Sequence, residues 1–208
     1  MQTFPAYDLL VAYLLGLTLH EFMHGYVAFT LGDNTAAEQG RLSLNPMAHI
    51  DSINTLLLPI LLFLAHSPII FGAAKPVPFN PWSLRYGKWG AALVAISGPA
   101  TNFVVAIFFG LWIRFIMVPD FILNLFASIV MINLALGLFN LIPIPPLDGS
   151  RVLYAVAPYD LREVMDRIER AGFVTIMIIV IVVFLLFGNA ISNAIYSLAH
   201  LIDPKYFM

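Results

Sequence analysis

The sequence predicts an all-α polytopic membrane protein with about four spanning helices, a re-entrant segment and a small β-hairpin or edge strand. Three observations carry that expectation. Hydrophobic residues are 61% of the 208 and charged residues only 11%, against about 25% charge in soluble domains. Mean hydropathy is +0.90. Apolar stretches of bilayer length recur, parted by breaks rich in Pro, Gly and Asn. The chain reads as one membrane-embedded domain, 1–208, with a core at about 8–155 and C-terminal helices over 160–202. A net charge of -2 gives no basic face for nucleic acid. With Cys 0, disulfides and thiolate chemistry are excluded, so any metal must be held by His, Asp or Glu. Residues 1–8 lack a signal peptide's basic region, so the first apolar segment is expected to be retained.

The first span is 8–31, closed by Gly32-Asp33-Asn34, residues that cap and turn. Inside it lies His20-Glu21-Phe22-Met23-His24, or H-E-x-x-H. Residues four apart share one helix face, so both imidazoles can reach one metal while Glu21 sits beside a water bound there. Three ionisable groups in an apolar helix are costly unless paired or bound to something. The alternative is a chance match with two satisfied core histidines.

Next, Gly40-Arg41-Leu42-Ser43-Leu44-Asn45-Pro46 alternates briefly, as an edge strand stopped by Asn-Pro would; an ordinary surface loop fits equally well. Residues 53–71 look like a second span interrupted by Pro59 and His66-Ser67-Pro68. Lys75-Pro76-Val77-Pro78-Phe79-Asn80-Pro81 belongs to a connector too stiff and polar for the bilayer core. Span 91–117 contains Ser97-Gly98-Pro99-Ala100-Thr101-Asn102, whose small residues permit close packing and whose Asn102 needs a partner. Span 121–142 leads into Asn140-Leu141-Ile142-Pro143-Ile144-Pro145-Pro146-Leu147-Asp148-Gly149. Asp148, the acid nearest an apolar span, is the best candidate for a third ligand, although a plain Asp-Gly turn fits as well. Asp160 to Arg170 reads as an amphipathic surface helix with Asp160 and Glu163 as a capping box. The last clear span is 171–187; Gly188-Asn189 breaks it, and 190–202 is a shorter interfacial helix or a continuation. His49 reads as an interfacial residue with Asp51 nearby, and His66 as a polar break.

Together the H-E-x-x-H helix, the Ser97–Asn102 stretch and the Asn140-x-x-Pro143-x-Pro145-x-Leu147-Asp148-Gly149 run resemble the site-2 protease family of intramembrane zinc metalloproteases. The resemblance covers roughly residues 8–155. It implies that His20, His24 and Asp148 hold one Zn²⁺, that Glu21 is the catalytic base, and that a peptide bond is cut within the membrane. It also implies a three-helix core bearing the site, in a short bacterial-type member with no room for PDZ or CBS modules. A transmembrane protein substrate and the lipid bilayer are then the expected contacts, and the sequence leaves oligomeric state open.

The chemistry is consistent on its own terms. Two neutral imidazoles, one carboxylate and Zn²⁺ leave a positive site that acidifies a bound water toward a pKa of about 7. Asn140 is a candidate donor to the reacting carbonyl, or else a helix cap. Asn102 braces helices or meets substrate, and Gly40, Arg41, Leu42, Ser43, Leu44 and Asn45 are candidates for pairing with an unwound substrate. A metal transporter and a catalytically silent zinc-binding scaffold are the competing classes; Glu21 has a specific role only in hydrolysis.

For the ligands to meet, spans 8–31 and 121–142 must end on the same side. A full crossing by 53–71 forbids that, and a re-entrant 53–71 allows it. Arg41, Lys75, Arg85, Lys88, Arg151, Arg162, Arg167 and Arg170 then share one side, leaving Arg114 and Lys205 opposite. This distribution marks the ligand side as cytoplasmic in a bacterial inner membrane.

Overall fold

The computed structural model describes residues 4–50, 75–116 and 119–207. The segment 53–71, expected to be re-entrant, lies outside them, as do Asp51 and His66.

Helix α1, Ala6–Thr30, starts after Pro5 and carries Asp8 in its first turn, where the dipole favours an acid. It stops at Gly32, whose φ of +103° is left-handed. There Gly32 N donates to Phe29 O and Asp33 N to Ala28 O, the Schellman pattern that satisfies a helix's last carbonyls. Asp33 is itself buried. Its carboxylate accepts from Thr35 N and Oγ1 at the start of the one-turn helix α2, Thr35–Glu38, and from Asn80 N at 2.6 Å. A 3₁₀ turn, Pro46–Ala48, is capped by the Asn45 side chain, which accepts from Met47 N at 3.0 Å.

Helices α3, Lys88–Phe115, and α4, Asp120–Asn140, follow; Pro119 precedes α4. Then come α5, Asp148–Val156, α6, Tyr159–Arg170, and α7, Phe173–Ile202. The described residues are helical or irregular throughout, with no strand. Three helical segments are long and apolar enough to cross a membrane: Lys88–Phe115, Phe121–Asn140 and Ile181–Ile202. The 25 residues of α1 give roughly 37 Å at about 1.5 Å per residue.

Helices α1, α3 and α4 form the core. Asn133 of α4 lies against Gly16 of α1, where an added Cβ would sit 2.8 Å from the Asn133 amide oxygen. Small residues of this kind let backbones approach where lipid gives helices no hydrophobic push together. Both α1 and α4 run toward the same end of the core, and α3 runs between them in the opposite sense. Helix α7 returns along α4, with Ile202 against Gly110 and with Ala199 in a cluster with Ala106, Ala127, Val130 and Leu134. Arg114 Nη1 donates to Ile202 O at 3.1 Å, tying α7 to α3. Leu185 and Leu186 of α7 are exposed, as residues facing lipid would be.

Three expectations need correction. The break at Gly188-Asn189 is absent, and α7 is continuous; the nearest atom to a Cβ on Gly188 is 3.8 Å away, and an isolated Gly is tolerated in an apolar helix. Asp160 lies within the first turn of α6 and does not cap it, since Pro158 holds the cap position. Gly40–Asn45 forms no strand. Gly40 is left-handed at φ +65°, Arg41 N bonds Ala36 O, and Asn45 N bonds the Ser43 hydroxyl, so the two ends of the segment are held by local bonds and no neighbouring strand pairs with it among the described residues.

Candidate metal centre

The i,i+4 spacing in α1 puts His20 and His24 on the face turned toward α3, and both are buried. Their Nε2 atoms are 3.0 Å apart. Asp148, first residue of α5, brings Oδ2 to 3.0 Å from His20 Nε2 and 3.3 Å from His24 Nε2. The Asp148 carboxylate is delivered by the turn after α4, which contains a cis Pro145–Pro146 bond. Gly149 is required in that turn, because any Cβ there would run into the Leu141 carbonyl.

The protons explain why these three atoms converge. His24 Nδ1 lies 2.7 Å from Val94 O. A carbonyl only accepts, so Nδ1 carries the proton and Nε2 presents a lone pair. His20 Nδ1 lies 2.6 Å from Asn102 Oδ1. The Asn102 amide nitrogen donates to Gly16 O at 3.1 Å and to Asn133 Oδ1 at 2.9 Å, which fixes its oxygen toward His20. Hence His20 Nε2 also presents a lone pair. Three acceptors then face one another at van der Waals distance or less, and Asp148 Oδ2 is buried without a hydrogen-bond partner.

A metal cation between the three atoms would reconcile that arrangement. Four ligands around zinc at about 2.0–2.1 Å are separated by roughly 3.3 Å, close to the spacings found here. His20, His24 and Asp148 are the metal-capable cluster found among the described residues. Burial disfavours an unpaired Asp148 carboxylate. A positive partner, proton or metal, therefore stabilises it.

Close packing makes the centre possible. A Cβ on Gly98 would lie 2.5 Å from His24 Nε2 and 2.7 Å from His20 Cε1. Behind the ligands, Asn102 and Asn133 are fully buried, and Asn133 donates onward to Ile129 O at 2.9 Å. Imidazole ligands are usually oriented by such an outer partner. Asn102 therefore sits behind His20, buried away from any surface. Asn133 was not foreseen, although a lone Asn in an apolar span is the same signal as Asn102.

The other candidates are placed as follows. Glu21 is buried, and its Oε2 accepts from Val77 N at 3.0 Å. Asn140 sits in the last turn of α4 and donates to Leu136 O at 3.0 Å, within its own helix. Leu42 packs against α1, its Cδ1 3.4 Å from a Cβ built on Gly25. Ser43 O accepts from His49 Nε2 at 2.7 Å. Leu44 is exposed. Arg41 is buried, with its guanidinium on the carbonyls of Lys75 and Pro76. His49 is buried too, and it stands outside the His20–His24–Asp148 cluster.

The family model described as Peptidase family M50 matches residues 117–187. The chain is 34% identical over 181 residues to "Putative zinc metalloprotease YwhC" of Bacillus subtilis, covering 82% of this chain and 78% of that protein. It is 26% identical over 174 residues to "Putative zinc metalloprotease Rip2" of Mycolicibacterium smegmatis, covering 83% of this chain and 66% of the relative. With the protein of the same description from Mycobacterium tuberculosis it shares 30% over 147 residues, 69% of this chain and 55% of the relative. No solved structure matches the chain.

Proposed function

The chain belongs to peptidase family M50 and is a zinc metalloprotease of the membrane; from that premise we propose that it cleaves transmembrane proteins within or beside their spanning segments. One observation carries the reading: two imidazole lone pairs and an orphaned carboxylate oxygen converge inside a bundle of apolar helices. His20, His24 and Asp148 would hold the zinc. When bound there, zinc supplies an acidified water and polarises the scissile carbonyl.

The chain's own residues do the rest. Glu21, adjacent to His20 in sequence and buried, takes the attacking water's proton and passes it to the leaving amine as the C–N bond breaks. Asn140 stands near the loop that bears Asp148 and is proposed to donate to the substrate backbone once its side chain turns from Leu136 O. Leu42 packs against Gly25 of α1, one helical turn after Glu21. We assign residues 40–45 to pairing with unwound substrate, because an opened helix in lipid leaves backbone groups unsatisfied at several kcal/mol each. Asn102 would hold the centre from behind.

The proposed setting is a bacterial inner membrane with the site toward the cytoplasm. The test is co-expression with single-span reporters of the intact enzyme and Glu21→Gln. Cleavage by the first and none by a zinc-loaded second is the expected pair of results. Substantial turnover by Glu21→Gln would remove Glu21 from the mechanism.

A further inference from the structure

The strap Lys75–Asn80 directs three of its four backbone N–H groups to the rest of the protein. Lys75 N donates to His49 O at 3.0 Å, and Asn80 N donates to Asp33 Oδ2 at 2.6 Å. Pro76 and Pro78 have no N–H and fix their own φ near -65°. Between them, Val77 N donates to Glu21 Oε2 at 3.0 Å. The Val77 side chain is buried, its Cγ1 3.2 Å from a Cβ built on Gly25 of α1.

Arg41 holds the near end. Its Nη2 donates to Lys75 O at 2.5 Å and reaches Pro76 O at 3.5 Å. Arg41 is buried, and among the described residues no carboxylate pairs with it. A buried guanidinium is costly unless its donors are used. Here Nη2 is used on the two carbonyls that precede the Val77 amide, while Nε has no hydrogen-bond partner among the described residues.

We infer that Arg41 and the Val77 amide are positioning elements for Glu21. The clamp fixes the strap, and the strap's amide fixes which oxygen of the Glu21 carboxylate is free to accept a proton. A carboxylate otherwise rotates about its last torsion, whose energy wells are broad. With Oε2 held by Val77, Oε1 is left as the acceptor in a set orientation. The inference rests on the reading of Glu21 as the base.

The test uses the full-length enzyme and a single-span reporter carrying Gly and Asn in its span. Zinc content and kcat and KM are measured for Val77→Pro, Val77→Ala, Arg41→Ala and Arg41→Lys. Val77→Pro deletes the amide hydrogen and should lower kcat by about 10- to 100-fold, less than the roughly 100- to 10,000-fold that a general base contributes in full. Zinc content and KM should hold. Val77→Ala keeps the amide and should lose far less. Arg41→Ala should also lower kcat, with partial recovery in Arg41→Lys, which can still donate to Lys75 O. Hydrogen exchange gives a second readout: Arg41→Ala should speed exchange over 75–80 while α1 stays protected.

An undiminished kcat in a zinc-loaded Val77→Pro would overturn the inference. So would a rise in activity in Arg41→Ala, which would make the strap a lid, or loss of zinc with activity in both variants, which would make it scaffolding. Should Val77→Pro not fold, Arg41→Ala and its exchange profile decide. Glu21→Gln run alongside separates the two levels. Turnover there defeats the base, whereas a dead Glu21→Gln with a fully active Val77→Pro defeats only the strap.

Discussion

At Gly98, helix α3 passes so close to both imidazoles that a single methyl group would occupy ligand space, 2.5 Å from His24 Nε2. Gly98→Ala should therefore reduce zinc content sharply, and larger residues should abolish it; full occupancy by metal analysis would show that α3 can shift away. Asn102 acts differently. It sets the tautomer of His20 and leaves the ligand count unchanged. Asn102→Leu should weaken zinc binding by about 10- to 100-fold, the usual effect of losing an imidazole's outer partner, as read by competition with a chelator. Asn133 supports Asn102 through one bond of 2.9 Å, so Asn133→Leu should follow in the same direction with a smaller effect. These are buried polar groups in an apolar bundle, where removing one partner leaves the other unsatisfied.

Among the elements, the parallel run of α1 and α4 brings candidate ligands more than a hundred residues apart together. The turn of H-E-x-x-H was legible because i,i+4 spacing is a property of any helix. Asp148 was legible only as the acid nearest a span. The close packing of Gly149 against the Leu141 carbonyl delivers it to the two imidazoles, a fit that spacing alone does not encode. The strand expected at Gly40–Asn45 failed for a related reason. Alternation of Leu42, Ser43 and Leu44 was real, but the left-handed Gly40 and the inward Arg41 commit the segment to local contacts. Its proposed role in pairing is then tied to substrate. Leu42→Pro and Leu44→Pro remove donors that an added strand needs, and should cut proteolysis with zinc content intact. Unchanged cleavage in both would exclude this segment as the pairing edge. Helix α7 shows the opposite error, since Gly188-Asn189 looked like a break and is spanned without interruption.

For the whole molecule, Lys75 N bonds His49 O and Arg85 N bonds Leu31 O at 2.8 Å, so His49 and Lys75 lie side by side. The re-entrant reading of 53–71 predicts that the positions flanking it lie on one side of the membrane. Probes on cysteines placed at Asp51 and Lys75, in a chain with no cysteine of its own, should both be reached from the cytoplasm. Labelling from opposite sides would contradict this topology. At the same scale, a site buried among apolar helices has to receive a substrate that has been unwound. Reporters with Gly, Pro or Asn in the span should therefore be cleaved faster than Leu-rich ones, because their helices open at lower cost. Everything depends on the convergence of His20, His24 and Asp148, and metal analysis of purified His20→Ala and Asp148→Ala beside the intact protein tests it most directly. About one zinc per chain in the intact protein and clear loss in each variant is the predicted result; full occupancy in both variants would contradict the assignment.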